Sequence, residues 1–197
     1  MKKIILATNN LHKIDEIQSF LSPLGFEIHS ARDTSIPKTV EDQPTLQGNA
    51  LKKARETFQA TGILSLADDT GLEVFYLAMN PGIYSARYAG EEATYKDNCD
   101  KLRNALNGVA PRRRNAQFRT VIAIVGKGIE RTVDGIVEGS ILEEPRGDQG
   151  FGYDPLFVPN GYSKTYAEMT IEEKNQLSHR GRALQSAIEF LKTIVSG

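Results

Sequence analysis

Two adjacent carboxylates, Asp68 and Asp69, close a short apolar run, and a hydroxyl and a glycine follow them: Leu64–Gly71 reads Leu-Ser-Leu-Ala-Asp-Asp-Thr-Gly. Neighbouring carboxylates repel, raise one another's pKa, and are tolerated together beside a cation or strong donors. A hard divalent metal is such a cation. Thr8-Asn9-Asn10-Leu11-His12-Lys13 is a second stretch of interest, because a polar loop between a strand and a helix aims amides and a helix N-terminus at an anion. Lys13 would add a point charge there. Lys174, His179 and Arg180 stand at the starts of two C-terminal helices, where cations are disfavoured unless an anion is present. Phe151, between Gly150 and Gly152, could stack on a planar base that glycine backbone lets come close. Plainer readings exist for each: a turn in which an aspartate bonds its own backbone, a capped helix start, a solvated lysine.

The elements that must position these groups follow from periodicity. Lys3–Ala7 is apolar and β-branched and predicts a first strand buried on both faces. Ile14, Ile17, Phe20 and Leu21 mark a helix that Ser22-Pro23 ends, and Phe26–Ser30 predicts a second strand. A polar loop runs on through Pro37 and Pro44 and holds the acidic pair Glu41-Asp42, read by default as solvated. Thr45 then precedes Leu46, Ala50, Leu51, Ala54 and Phe58 at helical spacing, with Asn49, Lys52, Lys53 and Arg55 as polar positions expected mostly to face water, and Gly62 stops the helix. The run Leu64–Ala67 predicts a buried strand ending at Asp68, which carries the acidic pair to the sheet's C-terminal edge, where open α/β sheets bind ligands. Leu72–Leu77 predicts a separate weak strand, and Thr94 caps a helix to about Leu106. Ala116–Val125 and Ile129–Leu142 form a hairpin around Gly126-Lys127-Gly128, with a bend near Asp134-Gly135. Leu156–Val158 is a short strand, Thr170 to Glu173 a capping box, and Ser178 caps a final helix with Leu184, Ala187, Ile188 and Leu191 buried.

Composition bounds the function. At 197 residues the chain is one large domain or two small lobes, and a formal charge of −1 argues against a surface dedicated to coating DNA. The basic run Pro111-Arg112-Arg113-Arg114 is accordingly read as a solvated loop. One cysteine, Cys99, permits no internal disulfide and reads as a core residue of a protein from a reducing compartment. The apolar run after Lys2-Lys3 is too short for a signal peptide or membrane span, so a cytoplasmic location is expected. The glycines of Gly147–Gly152 lead into Asp154-Pro155 and a strand, which excludes a dinucleotide fingerprint, and no phosphate-loop Gly-Lys-Ser/Thr motif occurs.

Five motifs in order carry a resemblance: Thr8-x-Asn10-x-x-Lys13, Ala67-Asp68-Asp69-Thr70-Gly71-Leu72, Pro81–Tyr88, Gly150-Phe151-Gly152-Tyr153-Asp154-Pro155 and Glu173-Lys174-x-x-x-Ser178-His179-Arg180. Together they resemble the inosine triphosphate pyrophosphatase family, from the first strand to the last helix. The resemblance implies an α/β fold, an elongated mixed β-sheet with helices forming two lobes around a central substrate cleft, over residues 1–197 as a single two-lobed domain. It further implies magnesium-dependent hydrolysis of ITP, dITP and XTP to monophosphate and pyrophosphate by a homodimer. By the same resemblance Asp69 would hold metal and act as base, Asp68 and Glu41 would support the metal, and Lys13, Lys53, Lys174 and the amides of Thr8–Lys13 would hold the triphosphate. Thr70, Phe151, Gly152, Tyr153, Asp154, His179 and Arg180 would shape the nucleoside end, with Arg180 and the loop amides donating to the purine 6-carbonyl. The chain departs from the pattern at Gly48, where many bacterial relatives have a glutamate, and at Met79, where a glycine is common. Two other classes stay open at this stage: a house-cleaning pyrophosphatase for pyrimidine or methylated nucleotides, and a non-enzymatic binder using Arg112–Arg114.

Overall fold

The computed structural model describes residues 2–33 and 36–195. Met1, Ser196, Gly197 and, within the loop expected between Ser30 and Pro44, Thr34 and Ser35 lie outside the described residues. The elements are β1 (Lys3–Leu6), α1 (Leu11–Leu21), β2 (Glu27–Ser30), α2 (Leu46–Thr61), β3 (Leu64–Val74), α3 (Tyr95–Ala105), β4 (Asn115–Gly126), β5 (Ile129–Ile141), β6 (Phe157–Pro159), α4 (Ile171–Leu177) and α5 (His179–Val195). The fold is the expected mixed α/β type. Its sheet has the order β2-β1-β3-β4-β5-β6, parallel where β1 meets β2 and β3 and antiparallel where β5 meets β6. β1 is flanked by a parallel strand on each side, and Ile4, Ile5 and Leu6 are all buried, as a strand with both faces covered requires.

The chain forms two compact units. The first comprises Met1–Asp69, Thr120–Gly135 and Arg180–Gly197, the second Thr70–Arg119 and Ile136–His179. The core of the first joins Ile4, Leu6 and Leu66 of the sheet to Ile17 and Leu21 of α1 and to Leu184, Ala187 and Leu191 of α5. The core of the second gathers Leu72 and Val74 of β3, Leu102 and Leu106, Phe118 of β4, Phe157 of β6, and Tyr166. Cys99 belongs to this second core, and burial pushes its thiol up to about 11.

Helix starts obey local chemistry. Asn10 caps α1 by accepting from the His12 and Lys13 amides, and Thr45, Thr94 and Thr170 cap α2, α3 and α4. Two expectations need correction. β3 does not end at Asp68: it runs without interruption to Val74 and absorbs the strand expected separately at Leu72. Its pairing with β1 stops at Leu6 opposite Leu66, while on its other side it neighbours the longer β4. The acidic pair therefore sits inside a strand, just past the end of its shorter neighbour. The second correction concerns the basic run, because Arg114 is buried and donates to the carbonyls of Leu106, Ile141 and Leu142 at 2.9, 2.8 and 2.8 Å. A guanidinium has five donors and can close several loop carbonyls at once. As expected, β5 is one long strand with Asp134-Gly135 inside it. Among the described residues no helix is long and apolar enough to cross a membrane.

Candidate active site

Side chains alternate along a strand, so Asp68 and Asp69 leave β3 on opposite faces and meet different partners. Asp68 Oδ2 accepts from Lys13 Nζ at 3.0 Å and from Arg180 Nε and Nη2 at 3.2 and 3.1 Å. Asp69 Oδ1 accepts from Lys53 Nζ at 2.8 Å, and its Oδ2 from Asn49 Nδ2 at 3.3 Å. Adjacent carboxylates thus avoid one another by geometry, and their titration diverges. Burial alone would raise Asp68, but Lys13, Arg180 and Lys53 outweigh it and hold the carboxyl far below the usual range. Burial wins at Asp69, which is raised; Lys53 and Lys13 oppose the shift and the Glu41 charge adds to it.

The partners arrive on three helices. Lys13 lies in the first turn of α1, whose start carries no acidic residue and whose entering loop is bent by a bond from the Asn10 amide to Thr8 Oγ1 at 3.2 Å. Amides at such a helix start suit an anion. Leu11 and His12, in the same turn, are exposed. Lys53 and Asn49 stand on the buried stripe of α2 with Leu46, Ala50, Ala54 and Thr57. Lys53 Nζ also donates to Glu41 Oε1 at 2.8 Å, which makes the Glu41 and Asp69 carboxylates neighbours across one ammonium. The two acids raise the lysine above its ordinary pKa although burial works against it. Among the described residues no three His, Cys, Asp or Glu side chains gather into a cage that would hold a metal unaided. Glu41 and Asp69 nonetheless offer the hard carboxylate oxygens that magnesium takes in ones and twos beside water and phosphate.

Arg180 opens α5, where a cation is electrostatically misplaced. The compensating anions are the protein's own: two of its nitrogens serve Asp68 and its Nη1 donates to Glu16. Arg180, Asp68 and Glu16 are all buried, and both acids push the guanidinium pKa up against the effect of burial.

The second unit holds the remaining sequence-derived residues. Asp154 Oδ2 accepts from the Phe151 amide at 2.9 Å and from Lys174 Nζ at 2.7 Å. This fold-back needs Gly150, at φ +73°, because a Cβ there would lie 2.1 Å from Asp154 Oδ2. Lys174 Nζ sits 4.8 Å from the Phe151 ring centre and 5.7 Å from that of Tyr166, so one ammonium ties the loop to an aromatic wall. Tyr153 is buried and donates to the Ser85 carbonyl at 2.9 Å. The His179 ring stacks on Phe118 with centres 4.5 Å apart and 12° between planes. Lys174 thus stands with Phe151–Asp154 in one unit, while Lys13 and Lys53 stand in the other. Thr70 follows Asp69 in β3 and is half-buried.

Sequence reasoning missed two contributors, one not named and one placed on the wrong face. Glu16 is buried between Ile14 and Ile17, and Asn49 was expected to face water. For Asn49 the signal was present, since Leu46, Asn49, Ala50, Lys53 and Ala54 share one face at 3.6-residue spacing.

The Ham1 family profile matches residues 4–190. A dITP/XTP pyrophosphatase of Thermoanaerobacter sp. (strain X514) is 46% identical over 190 residues, which are 96% of this chain and 96% of the relative. One from Bacillus subtilis (strain 168) is 41% identical over 194 residues, 98% of each chain. Among solved structures, a HAM1 protein from Coxiella burnetii superposes with a TM-score of 0.90 at 38% identity, covering 98% of this chain and all of that one. The Ham1 protein of Staphylococcus aureus gives 0.87 at 36% identity, over 98% and 99% of the two chains. Sequence motifs, core and relatives coincide over nearly the whole length, and the chain belongs to the Ham1 family.

Proposed function

We propose that the protein hydrolyses non-standard purine nucleoside triphosphates, among them ITP, dITP and XTP, to the monophosphate and pyrophosphate, and so clears them from the nucleotide pool. The observation that carries this proposal is the buried cluster around β3, in which Asp69 shares Lys53 with Glu41 while Asp68 is separately neutralised by Lys13 and Arg180. The names of the Thermoanaerobacter and Bacillus relatives support the substrate class.

Pyrophosphate release needs water to attack the α-phosphorus while phosphate charge is neutralised. Asp69 is proposed as the base, because a carboxylate raised by burial holds a proton taken from water better than an ordinary one. Lys13 and Lys53 hold phosphate oxygens, joined by those amides of the Thr8–Lys13 loop that its internal bonds do not use, since the Thr8, Asn10, His12 and Lys13 amides donate to the Leu6 carbonyl, Thr8 Oγ1 and Asn10 Oδ1. In this cluster Glu16, Glu41, Asp68 and Asp69 outnumber Lys13, Lys53 and Arg180, so a triphosphate would meet excess negative charge unless a divalent cation came with it. Asp69 and Glu41, with Asp68 behind them, are the residues proposed to hold that cation. Magnesium bound there would offset phosphate charge and acidify a water. The family resemblance is also what supports magnesium as the metal, a homodimer as the assembly and the cytoplasm as the location.

The base is assigned to Phe151, which stacks, with Gly152 and Tyr153 supplying backbone donors to a purine 6-carbonyl. Asp154 and Lys174 hold that loop in place, and Thr70 and His179 shape the nucleoside end. Inosine and xanthine present a carbonyl where adenine presents an amino group, and an unpaired buried donor costs about 1–3 kcal/mol, enough for a preference of tenfold to a hundredfold per mismatch.

A panel of ITP, dITP, XTP, ATP, GTP and dTTP, followed by pyrophosphate and phosphate detection with magnesium and with EDTA, tests this. Fast, magnesium-dependent pyrophosphate release from the first three is expected. Nucleoside diphosphate and free phosphate as products, or ATP turned over as fast as ITP, would overturn it.

A further inference from the structure

The first turn of α2 departs from those of the other threonine-capped elements. Thr94, Thr165 and Thr170 each cap an element whose third residue is acidic, Asp97, Glu168 and Glu173, and each acid returns a bond to the capping residue's amide. Thr45 caps α2 in the same way, accepting from the amide of the third residue at 3.0 Å, but that residue is Gly48. A glycine there forgoes the reciprocal bond and is among the poorest helix formers.

What occupies the space is the segment before the helix. A Cβ on residue 48 would lie 2.8 Å from Gln43 Cβ, a separation real Cβ atoms do not show, and 3.1 Å from Thr45 Oγ1. Gln43 Cβ is fixed to its own backbone and cannot swing aside as a side-chain tip would. The same segment is fastened to α2 along its length: Lys52 Nζ donates to the Val40 carbonyl at 2.9 Å and to Asp42 Oδ1 at 2.8 Å, and the Gln43 amide donates to Asn49 Oδ1 at 3.0 Å. Asn49 in turn donates to Asp69, and Lys53 joins Glu41 to Asp69.

We propose that Gly48 is a positioning residue: its missing side chain lets the 40–43 segment seat on the first turn of α2, and that seating brings the Glu41 carboxylate to Lys53 beside Asp69. The proposal rests on the assignment of Glu41 and Asp69 above and extends it to a residue with no chemistry of its own.

A double-mutant cycle of Gly48→Ala and Gln43→Gly tests it, with hydrogen exchange of the 40–45 amides in the substrate-free protein as one readout and ITP turnover against magnesium concentration as the other. Alanine suits a helix, so Gly48→Ala should fold. Alone it should speed exchange in 40–45 and lower kcat/KM by roughly tenfold, with a raised magnesium requirement. In the Gln43→Gly background, where the obstructing Cβ is gone, the same substitution should change neither readout further. Unchanged exchange in Gly48→Ala, or an equal effect in both backgrounds, would overturn the proposal. If exchange follows the expected pattern while turnover and magnesium requirement stay at wild-type values, Gly48 does seat the segment but the delivery of Glu41 serves no catalytic end, and it is the assignment of Glu41 that falls.

Discussion

Two buried lysines, one in each unit, solve the same electrostatic problem in different ways. Lys53 lies between two carboxylates, Glu41 and Asp69, each at 2.8 Å. Lys174 has one carboxylate, Asp154 at 2.7 Å, and the faces of Phe151 and Tyr166. The first arrangement leaves carboxylate oxygen in excess and suits a place where cation and phosphate enter together. The second is balanced as it stands, and aromatic faces complete it, which suits a neutral planar base. Burial of the same residue type therefore does not imply the same task; the surplus or balance of charge around it separates the two.

The contrast can be attacked at several points. The largest effect is expected outside both lysines, at Arg180→Ala. Removing this guanidinium takes from the buried Asp68 and Glu16 the cation they share, leaving Asp68 with Lys13, and breaking a buried pair costs about 3–5 kcal/mol. Urea denaturation should report a loss of that size. A change below about 1 kcal/mol would mean that Arg180 contributes little to holding Asp68 and is available to substrate. Asp69→Asn comes next: an amide is nearly isosteric but is a poor proton acceptor and a weaker metal ligand, so kcat should fall on the order of a hundredfold with an unchanged far-UV spectrum. Retained activity would return Asp69 to a structural role.

The lysines themselves sharpen the comparison. Lys53→Met should lower kcat/KM for ITP and ATP by a common factor of roughly tenfold or more, because phosphate is the same in both. Lys174→Met should instead lower ITP turnover by about tenfold and ATP turnover less, narrowing the gap, since it loosens the loop proposed to read the base. Were the two substitutions to give the same pattern across substrates, the division of labour between the units would fail. The smallest effect is a titration shift. Burial raises the Asp69 carboxyl and the Glu41 charge raises it further, so in metal-free protein Glu41→Gln should move the Asp69 titration to lower pH, as read by carboxyl NMR. An upward movement would mean that Glu41 supports Asp69 by a route other than charge.

What was legible in the sequence is what local rules govern. The caps at Asn10, Thr45, Thr94 and Thr170 bond within three residues, and the helices and strands they open follow from 3.6- and 2-residue periods. The motif order likewise sufficed for the family. The span of β3 was misjudged because a turn residue after an acidic pair ordinarily ends a strand, and the length of a strand depends also on sheet neighbours such as β4 that are remote in the chain. The misplaced cation at Arg180 was visible in the sequence, but not its partners, which lie 112 and 164 residues away.

Local spacing thus determined most of the elements, since backbone geometry repeats over three or four residues whatever surrounds it, and the order of the motifs determined the family, whose resemblance in turn singled out Asp69, Lys53 and Lys13. The tertiary structure alone decided that Asp68 and Asp69 face opposite ways with opposite pKa shifts, that Lys174 belongs with Asp154, and that Arg180 is held by two acids. Charge pairing in a low-dielectric interior depends on which groups share the space, and packing of distant segments sets that.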